Sequence, residues 1–104
     1  MVTTYWLTFR LSARSVNYIT YDDRRQALLA AVERHSTDRW EEPTSFLAFR
    51  SGSTIEAISK ACKLAIAPSW DMFLIREMDR QNARIGGLVL DRKIFQMMPY
   101  LKAV

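Results

Sequence analysis

The chain has 104 residues, of which 49% are hydrophobic and 25% charged, a balance that fits one soluble globular domain. Its one cysteine, Cys62, excludes an internal disulfide and fits a reducing, cytoplasmic location, and the formal charge of +4 at pH 7 favours contact with polyanions. The first residues predict neither a signal peptide nor a membrane span, because Arg10 interrupts a short apolar stretch.

The first predicted element is a strand over residues 4–12, where side chains alternate with a period of two. Tyr5, Leu7, Phe9 and Leu11 would lie on one face, and Trp6, Thr8, Arg10 and Ser12 on the other. Residues 13–21 are polar and predict a loop.

A helix follows, and its start is predicted at Asp22 or Asp23, because a short carboxylate accepts the free N–H groups of a first turn. The apolar residues at helical spacing are Ala27, Leu28, Ala31, Val32 and His35. The helix is predicted to end near Ser36. A short strand over residues 38–42 and a better one over 44–50 then predict a hairpin that turns near Pro43, which lacks an N–H.

Ser53 or Thr54 is predicted to cap a second helix, and Glu56 would complete a capping box with Ser53. Its apolar stripe is Ile55, Ile58, Cys62, Ala65 and Ile66. Pro68 lies past the helix end, and residues 70–78 alternate as a strand. In the tail, residues 84–90 predict a short strand and residues 91–98 a short helix.

This order predicts an α+β fold, the ferredoxin-like βαββαβ domain, over residues 1–104, with 79–104 as a C-terminal extension. The prediction is a four-stranded antiparallel sheet with two helices on one face, plus a C-terminal strand and short helix. The opposite face of the sheet carries apolar residues, so the tail, a second chain or a ligand must cover it.

Five segments carry a family resemblance. They are an aromatic-rich first strand, "YDDRRQALLAAVERHS", "RWEEPTSFLAFRS", "STIEAISKACKLAI" and "SWDMFLIREM". In this order they resemble the small ferredoxin-like proteins grouped with the CRISPR-adaptation nuclease-like family and its virulence-associated protein D relatives. The resemblance covers residues 4–79 and rests on element order and hydrophobic pattern. It implies a homodimer joined through sheets, with residues 84–90 as a strand that reaches the partner.

Some members of that family are metal-dependent nucleases, with an acidic residue at the end of the first strand where two subunits meet. The matching place here is residues 9–12, which contain Arg10 and no acid. A positive charge at that place opposes binding of a divalent cation, so the chain departs from the family at its nuclease site.

The candidate functional face is the one that carries Trp6, Thr8, Arg10 and, if the first and last strands are neighbours, Arg76. An arginine beside an aromatic ring can stack or bind phosphate, and both residue types are also common in dimer interfaces. We therefore expect this face to be a nucleic-acid surface or a dimer interface.

Other groups give weaker predictions. Asp22 and Asp23 fit a helix cap, and they would bind a metal only if a partner chain supplied further ligands. Glu41 and Glu42 point to opposite sides of an extended chain and predict a solvated hairpin end. Trp40 is expected to pack at a sheet edge or dimer interface, with base stacking as the alternative.

Three further features predict structural roles. His35 is expected to be packed or to face the dipole of its helix, and Cys62 to be buried core. The pair Gly86 and Gly87 lacks the flanking spacing of a phosphate loop. No cofactor is predicted.

The leading functional prediction is a non-catalytic homodimer with an interaction or nucleic-acid-associated role in a mobile-element or toxin–antitoxin setting. Two alternatives are a divergent metal-dependent endonuclease or endoribonuclease that uses Asp22 or Asp23, and a structural dimer or small-ligand-binding module. No contact with a membrane is predicted.

Overall fold

The computed structural model describes residues 2–104, which form a small α+β domain of three helices and one six-stranded sheet. In chain order the elements are β1 (Thr3–Arg10), α1 (Tyr21–His35), β2 (Asp38–Trp40), β3 (Phe46–Ser51), α2 (Ile55–Ala65), β4 (Met72–Glu77), β5 (Ala83–Gly87), α3 (Ile94–Met97) and β6 (Leu101–Ala103). The mixed fold class is therefore confirmed.

The strands lie in the order β2-β3-β1-β4-β5-β6. The pairs from β2 to β5 are antiparallel, whereas β5 and β6 are parallel. The predicted four-stranded, fully antiparallel sheet is thus wrong, because residues 79–104 add two strands to it. The strand β5 returns beside β4 of its own chain, and the segment containing α3 carries the chain across to β6.

One face of the sheet, the helix face, holds the main core. Alternation in β1 and β4 directs Tyr5, Leu7, Phe9, Phe73 and Ile75 toward this face, where all five are buried. Residues of α1 and α2 pack against them: Leu28, Val32, Ile55, Ile58, Cys62 and Ile66. The alternation predicted for the first strand is confirmed, and Cys62 is buried as predicted.

The helix starts differ in part from the predictions. Thr20, not Asp22 or Asp23, caps α1, since its side chain accepts a hydrogen bond from the Asp23 N–H. Thr54 caps α2 by accepting from the Ala57 N–H, so the alternative cap is confirmed and the capping box at Ser53 is wrong. In both cases a threonine directly before the helix satisfies a first-turn N–H group.

A buried ion pair joins the first turn of α1 to the loop before β4, at one end of the sheet. Arg24 is 2% exposed and Asp71 is 0% exposed, and Arg24 Nε lies 2.8 Å from Asp71 Oδ2. The guanidinium also donates to the carbonyls of Ser12, Arg14 and Ile19, at 2.8, 3.1 and 2.8 Å. This pair therefore fixes the β1–α1 loop against the residues that precede β4.

The face opposite the helices, the open face, is half covered by the chain itself. Leu74, Ala83, Ile85 and Leu101 form a second buried cluster on β4, β5 and β6. The side chains that pack on it from residues 88–100, here called the C-terminal cover, are Val89, Ile94, Phe95, Met98 and Tyr100. The sequence left three possible covers for this face: the tail, a second chain or a ligand. The tail covers the part of the face on β4 and β5.

Candidate functional site

The structure places the four residues of the predicted face together on the open face. Trp6, Thr8 and Arg10 point there from β1 by alternation. Arg76 lies directly across from Trp6 in the β1–β4 register, so the assumed neighbour relation of the two strands is correct. The sequence pattern therefore predicted the face on which these side chains lie. Their accessibility to a ligand depends on the residues that cover them.

The C-terminal cover engages both arginines. Arg10 Nη2 donates to the Leu88 carbonyl at 3.0 Å, yet the Arg10 side chain stays exposed at the margin of the cover. Arg76 lies with Cζ 5.3 Å from the ring centroid of Tyr100, and its Nε is buried without a hydrogen-bond partner among residues 2–104. Arg10 is accessible to an anion, whereas Arg76 is mostly part of the covered half.

The remainder of the open face, on β2, β3 and β1, is the uncovered half. Three aromatic rings lie there across three adjacent strands. The ring centroids of Trp6 and Phe46 are 6.0 Å apart in a stacked arrangement, and those of Trp40 and Phe46 are 6.3 Å apart, edge to face. Trp40 is 51% exposed, a large value for a tryptophan that lies on a strand. Trp40 is thus the exposed end of this aromatic row, and Trp6 and Phe46 are half-buried.

A cleft of about 170 Å³ opens beside the aromatic row. The residues that line it are Thr4, Asp38, Arg39, Trp40, Ala48, Phe49 and Arg50. Ala48 lies across from Trp6 on one side and from Trp40 on the other, and its single methyl group leaves space beside the Trp40 indole. The cleft therefore combines an aromatic surface with two guanidinium groups and one carboxylate.

The charged groups of this cleft are exposed and loosely paired. Arg50 Nε lies 3.5 Å from Asp38 Oδ1, and the two side chains are 62% and 60% exposed. An exposed pair of this kind contributes at most about 1 kcal/mol, so a ligand can compete for both groups at little cost. Both residues were missed as site residues from the sequence, although β-alternation puts Asp38 with Trp40 and Arg50 with Ala48.

The acidic residues singled out in the sequence lie outside the strands that form this surface, on α1 and in the connection from β2 to β3. Asp22 and Asp23 are exposed in the first turn of α1. Glu41 and Glu42 are exposed in the five-residue connection 41–45 between β2 and β3, and Glu41 pairs with Arg39. Within residues 2–104 no group of three His, Cys, Asp or Glu side chains is placed to hold a metal ion.

His35 occupies the last position of α1, and the structure gives it a partner that the sequence did not indicate. Its Nδ1 and the Ser53 Oγ share a hydrogen bond of 2.8 Å. The Tyr5 hydroxyl donates to the Ser53 carbonyl at 3.1 Å, so the same residue is held from both sides. These contacts tie the end of α1 to the start of α2 and explain His35 structurally.

The pair Gly86 and Gly87 is explained by close packing. Gly87 has a φ of +94°, and a Cβ there would lie 2.0 Å from the Asp71 carbonyl oxygen. At Gly86 a Cβ would meet the Phe73 ring at 2.6 Å. These glycines allow β5 to approach β4 closely, in keeping with the prediction that they form no phosphate loop.

A larger cleft of about 460 Å³ lies at the end of the sheet where Arg24 is buried. Ile19, Leu64, Pro68 and Trp70 contribute most of its apolar lining. The charged residue that lines it is Arg24, whose five hydrogen bonds are all made inside the protein. Asn17 and Ser69 add polar groups to this lining, but its one charged side chain is already engaged inside the protein, and the uncovered half is the stronger candidate.

Comparison with protein-family models, with curated proteins and with solved structures found no match. The resemblance to the CRISPR-adaptation nuclease-like family therefore stays a prediction. In the described part of the chain, no helix combines the length and the apolar character needed to cross a membrane.

Proposed function

We propose that the protein is a non-catalytic binding protein that holds nucleic acid on the uncovered half of its sheet. The observation that carries this proposal is the row Trp6, Phe46 and Trp40, which lies across three adjacent strands, half-buried at Trp6 and Phe46 and exposed at Trp40. Sheet surfaces with aromatic side chains on neighbouring strands bind nucleic acid by stacking, because every base has a π-face.

The fold and the charge distribution support this proposal. The order β1-α1-β2-β3-α2-β4, with pairing β2-β3-β1-β4, supports a ferredoxin-like core to which β5 and β6 are added. Arg10 and Arg50 flank the aromatic row on β1 and β3, and both are exposed. The whole chain has a formal charge of +4, so the electrostatic contribution to phosphate binding is favourable but modest.

An electrophoretic shift assay with labelled RNA and DNA tests the proposal. We expect binding at low salt that weakens as salt rises, since each phosphate contact contributes about 0.7–0.9 to the slope of log K against log salt. Arg10→Ala should weaken binding and lower that slope by about one contact. Lys60→Ala is the matched control, because it removes the same charge from an exposed position on α2, on the other side of the sheet.

The absence of any shift at low salt would refute the proposal. Equal effects of the Arg10 and Lys60 substitutions would show that net charge, and not the open face, governs retention. Labelled RNA with magnesium or manganese tests the nuclease alternative, and we expect no cleavage.

The second candidate is a homodimer formed through the same surface. It is favoured by the 51% exposure of Trp40 in β2, a strand whose outer edge pairs with no strand of residues 2–104. Tryptophan is enriched in protein interfaces. Light scattering at micromolar concentration tests it: a dimer that Trp40→Ala converts to a monomer supports this candidate, whereas a wild-type monomer excludes it.

A further inference from the structure

We infer that the cleft beside Trp40 is a binding slot for one unpaired nucleobase, so that the preferred ligand is a single strand and not a duplex. This inference rests on the proposed function and adds a particular site and ligand class to it. It concerns Trp40, Ala48, Thr4, Asp38 and Arg50, which line the cleft of about 170 Å³ together with Arg39 and Phe49.

The register of the sheet explains how the slot is formed. On the open face, one cross-strand row is Trp6–Ala48–Trp40 and the next is Thr4–Arg50–Asp38. Large side chains occupy the outer positions of the first row and a methyl group its middle. Neighbouring strands lie about 4.8 Å apart, so the two tryptophan backbones are separated by roughly twice that distance. A flat ring can enter over Ala48, where a larger side chain would fill the space.

Trp40 supplies the stacking surface. About half of the Trp40 side chain is exposed. The indole also packs edge to face with Phe46, at a distance of 6.3 Å between the ring centroids, and this packing holds one side of it. An indole that is fixed on one side and exposed on the other can stack a base without reorganisation of the protein. Stacking of this kind does not depend on which base is present.

Asp38 and Arg50 supply hydrogen bonds to the edge of the base. The carboxylate accepts from an amino group or ring N–H, and the guanidinium donates to a carbonyl oxygen or ring nitrogen. Every nucleobase carries both kinds of group on the edge that pairs in a duplex. That edge is free in a single strand and occupied in a duplex, which is the physical reason for the expected preference.

The charge of the slot also separates a base from other occupants of aromatic pockets. A quaternary ammonium group would be drawn to indole faces. It would also lie beside Arg39 and Arg50, whose two positive charges outnumber the one carboxylate of Asp38 in the lining and whose hydrogen bonds it cannot accept. A neutral ring with donors and acceptors uses both charged side chains and is therefore the better fit.

The test measures the affinity of fluorescein-labelled single-stranded RNA and DNA oligonucleotides, the matching duplexes and heparin by anisotropy. The variants are Trp40→Ala, which removes the stacking surface, and Ala48→Leu, which fills the slot. The matched control is Trp70→Ala, because Trp70 is 39% exposed at another site, where its indole stacks on Arg14 at 3.8 Å. Circular dichroism and thermal melting establish that each variant is folded.

We expect Trp40→Ala to weaken single-strand binding by about 5- to 150-fold, the range for loss of one stacked base, with little change for duplex or heparin. Ala48→Leu should act in the same direction, and Trp70→Ala should have no effect. If Ala48→Leu does not fold, Trp40→Ala and the single-strand preference of the wild type still decide the matter.

Two results would overturn the inference and leave the proposed function standing. One is equal binding of single strands, duplexes and heparin with no effect of Trp40→Ala. The other is saturable binding of tetramethylammonium in the slot that competes with no oligonucleotide. If the wild type bound no oligonucleotide at low salt, the proposed function would be refuted, and the inferred base-binding slot with it.

Discussion

Replacement of Asp71 by asparagine should destabilise the domain more than any exposed charge substitution. The carboxylate accepts from Arg24 Nε at 2.8 Å, from the Ser12 N–H at 2.8 Å and from the Ala67 N–H at 2.9 Å. Asparagine has one acceptor oxygen, and its NH₂ group would face donors. The buried guanidinium would also lose its counter-charge, a change that costs about 3–5 kcal/mol in a protein interior.

This cost is large compared with the total stability of a small domain, about 5–15 kcal/mol. For a chain of this size, 1 kcal/mol shifts the melting temperature by about 4–8 °C, so Asp71→Asn should lower it by at least about 12 °C. Thermal and urea melts followed by circular dichroism measure the effect. Asp91→Asn is the control, because Asp91 is exposed and its pair with Lys93 is 3.9 Å long. A similar, small shift in both variants would refute the reasoning.

The same carboxylate gives the stability a dependence on pH. Burial alone would raise the pKa of Asp71, but hydrogen bonds from Arg24, Ala67 and Ser12 and the charge of Arg24 outweigh burial and lower the pKa. A lowered folded-state pKa stabilises the protein above the unfolded value of about 3.9, and this contribution is lost as pH falls through the folded-state pKa. The unfolding free energy of the wild type should therefore exceed that of Asp71→Asn by its largest amount at neutral pH. This difference should shrink below about pH 4.

Three further predictions concern other parts of the fold. Burial raises the pKa of Cys62 to about 12, so the thiol should react with Ellman's reagent only after unfolding in urea; rapid reaction of the native protein would show that α2 opens. Gly87→Ala should lower the melting temperature by several degrees, because the new Cβ meets backbone and φ is positive, and an unchanged melt would show that β5 can shift. Arg24→Met combined with Asp71→Leu should stay destabilised, unlike many buried pairs replaced by apolar residues, because the backbone carbonyls of Ser12, Arg14 and Ile19 lose the guanidinium as a donor and the N–H groups of Ser12 and Ala67 lose their acceptor; recovery to wild-type stability would contradict this.

Arg24 shows most clearly what could and could not be predicted from the sequence. Asp22 and Asp23 were interpreted as a helix cap and Arg24 was given no role, but Arg24 and Leu28 are four residues apart and share the buried stripe of α1. An arginine at an apolar stripe position is a signal for a buried partner, and that signal is present in the sequence. The identity of the partner is not, because Asp71 is 47 residues away and spacing cannot pair residues at that distance.

The sheet shows a similar limit. Alternation in β1 and β4 predicted which side chains share a face, because a period of two needs only local information. The strand β6 has three residues, too few for a pattern to show, and its pairing with β5 depends on how α3 carries the chain across. The number of strands was therefore underestimated, and with it the part of the open face that the chain covers by itself.

The boundary between the covered and uncovered halves follows the chemistry of the side chains. On β4 and β5 the open face presents aliphatic groups such as Leu74 and Ile85, which the C-terminal cover buries. On β3 it presents Phe46, Ala48 and Arg50, a mixture that suits contact with a polar, planar ligand. Residues 88–100 thus cover the more aliphatic half, which also contains Arg76 beside the Tyr100 ring.

Trp6 lies on this boundary, since it stacks on Phe46 and also packs against the second buried cluster. Its substitution would change both the stability of the cover and the aromatic row, and the two effects could not be separated in a binding assay. Trp40 packs on the row alone, at the far edge of the sheet. The residue that the sequence placed at a sheet edge, as a packing group, is therefore the one whose substitution tests base binding most directly.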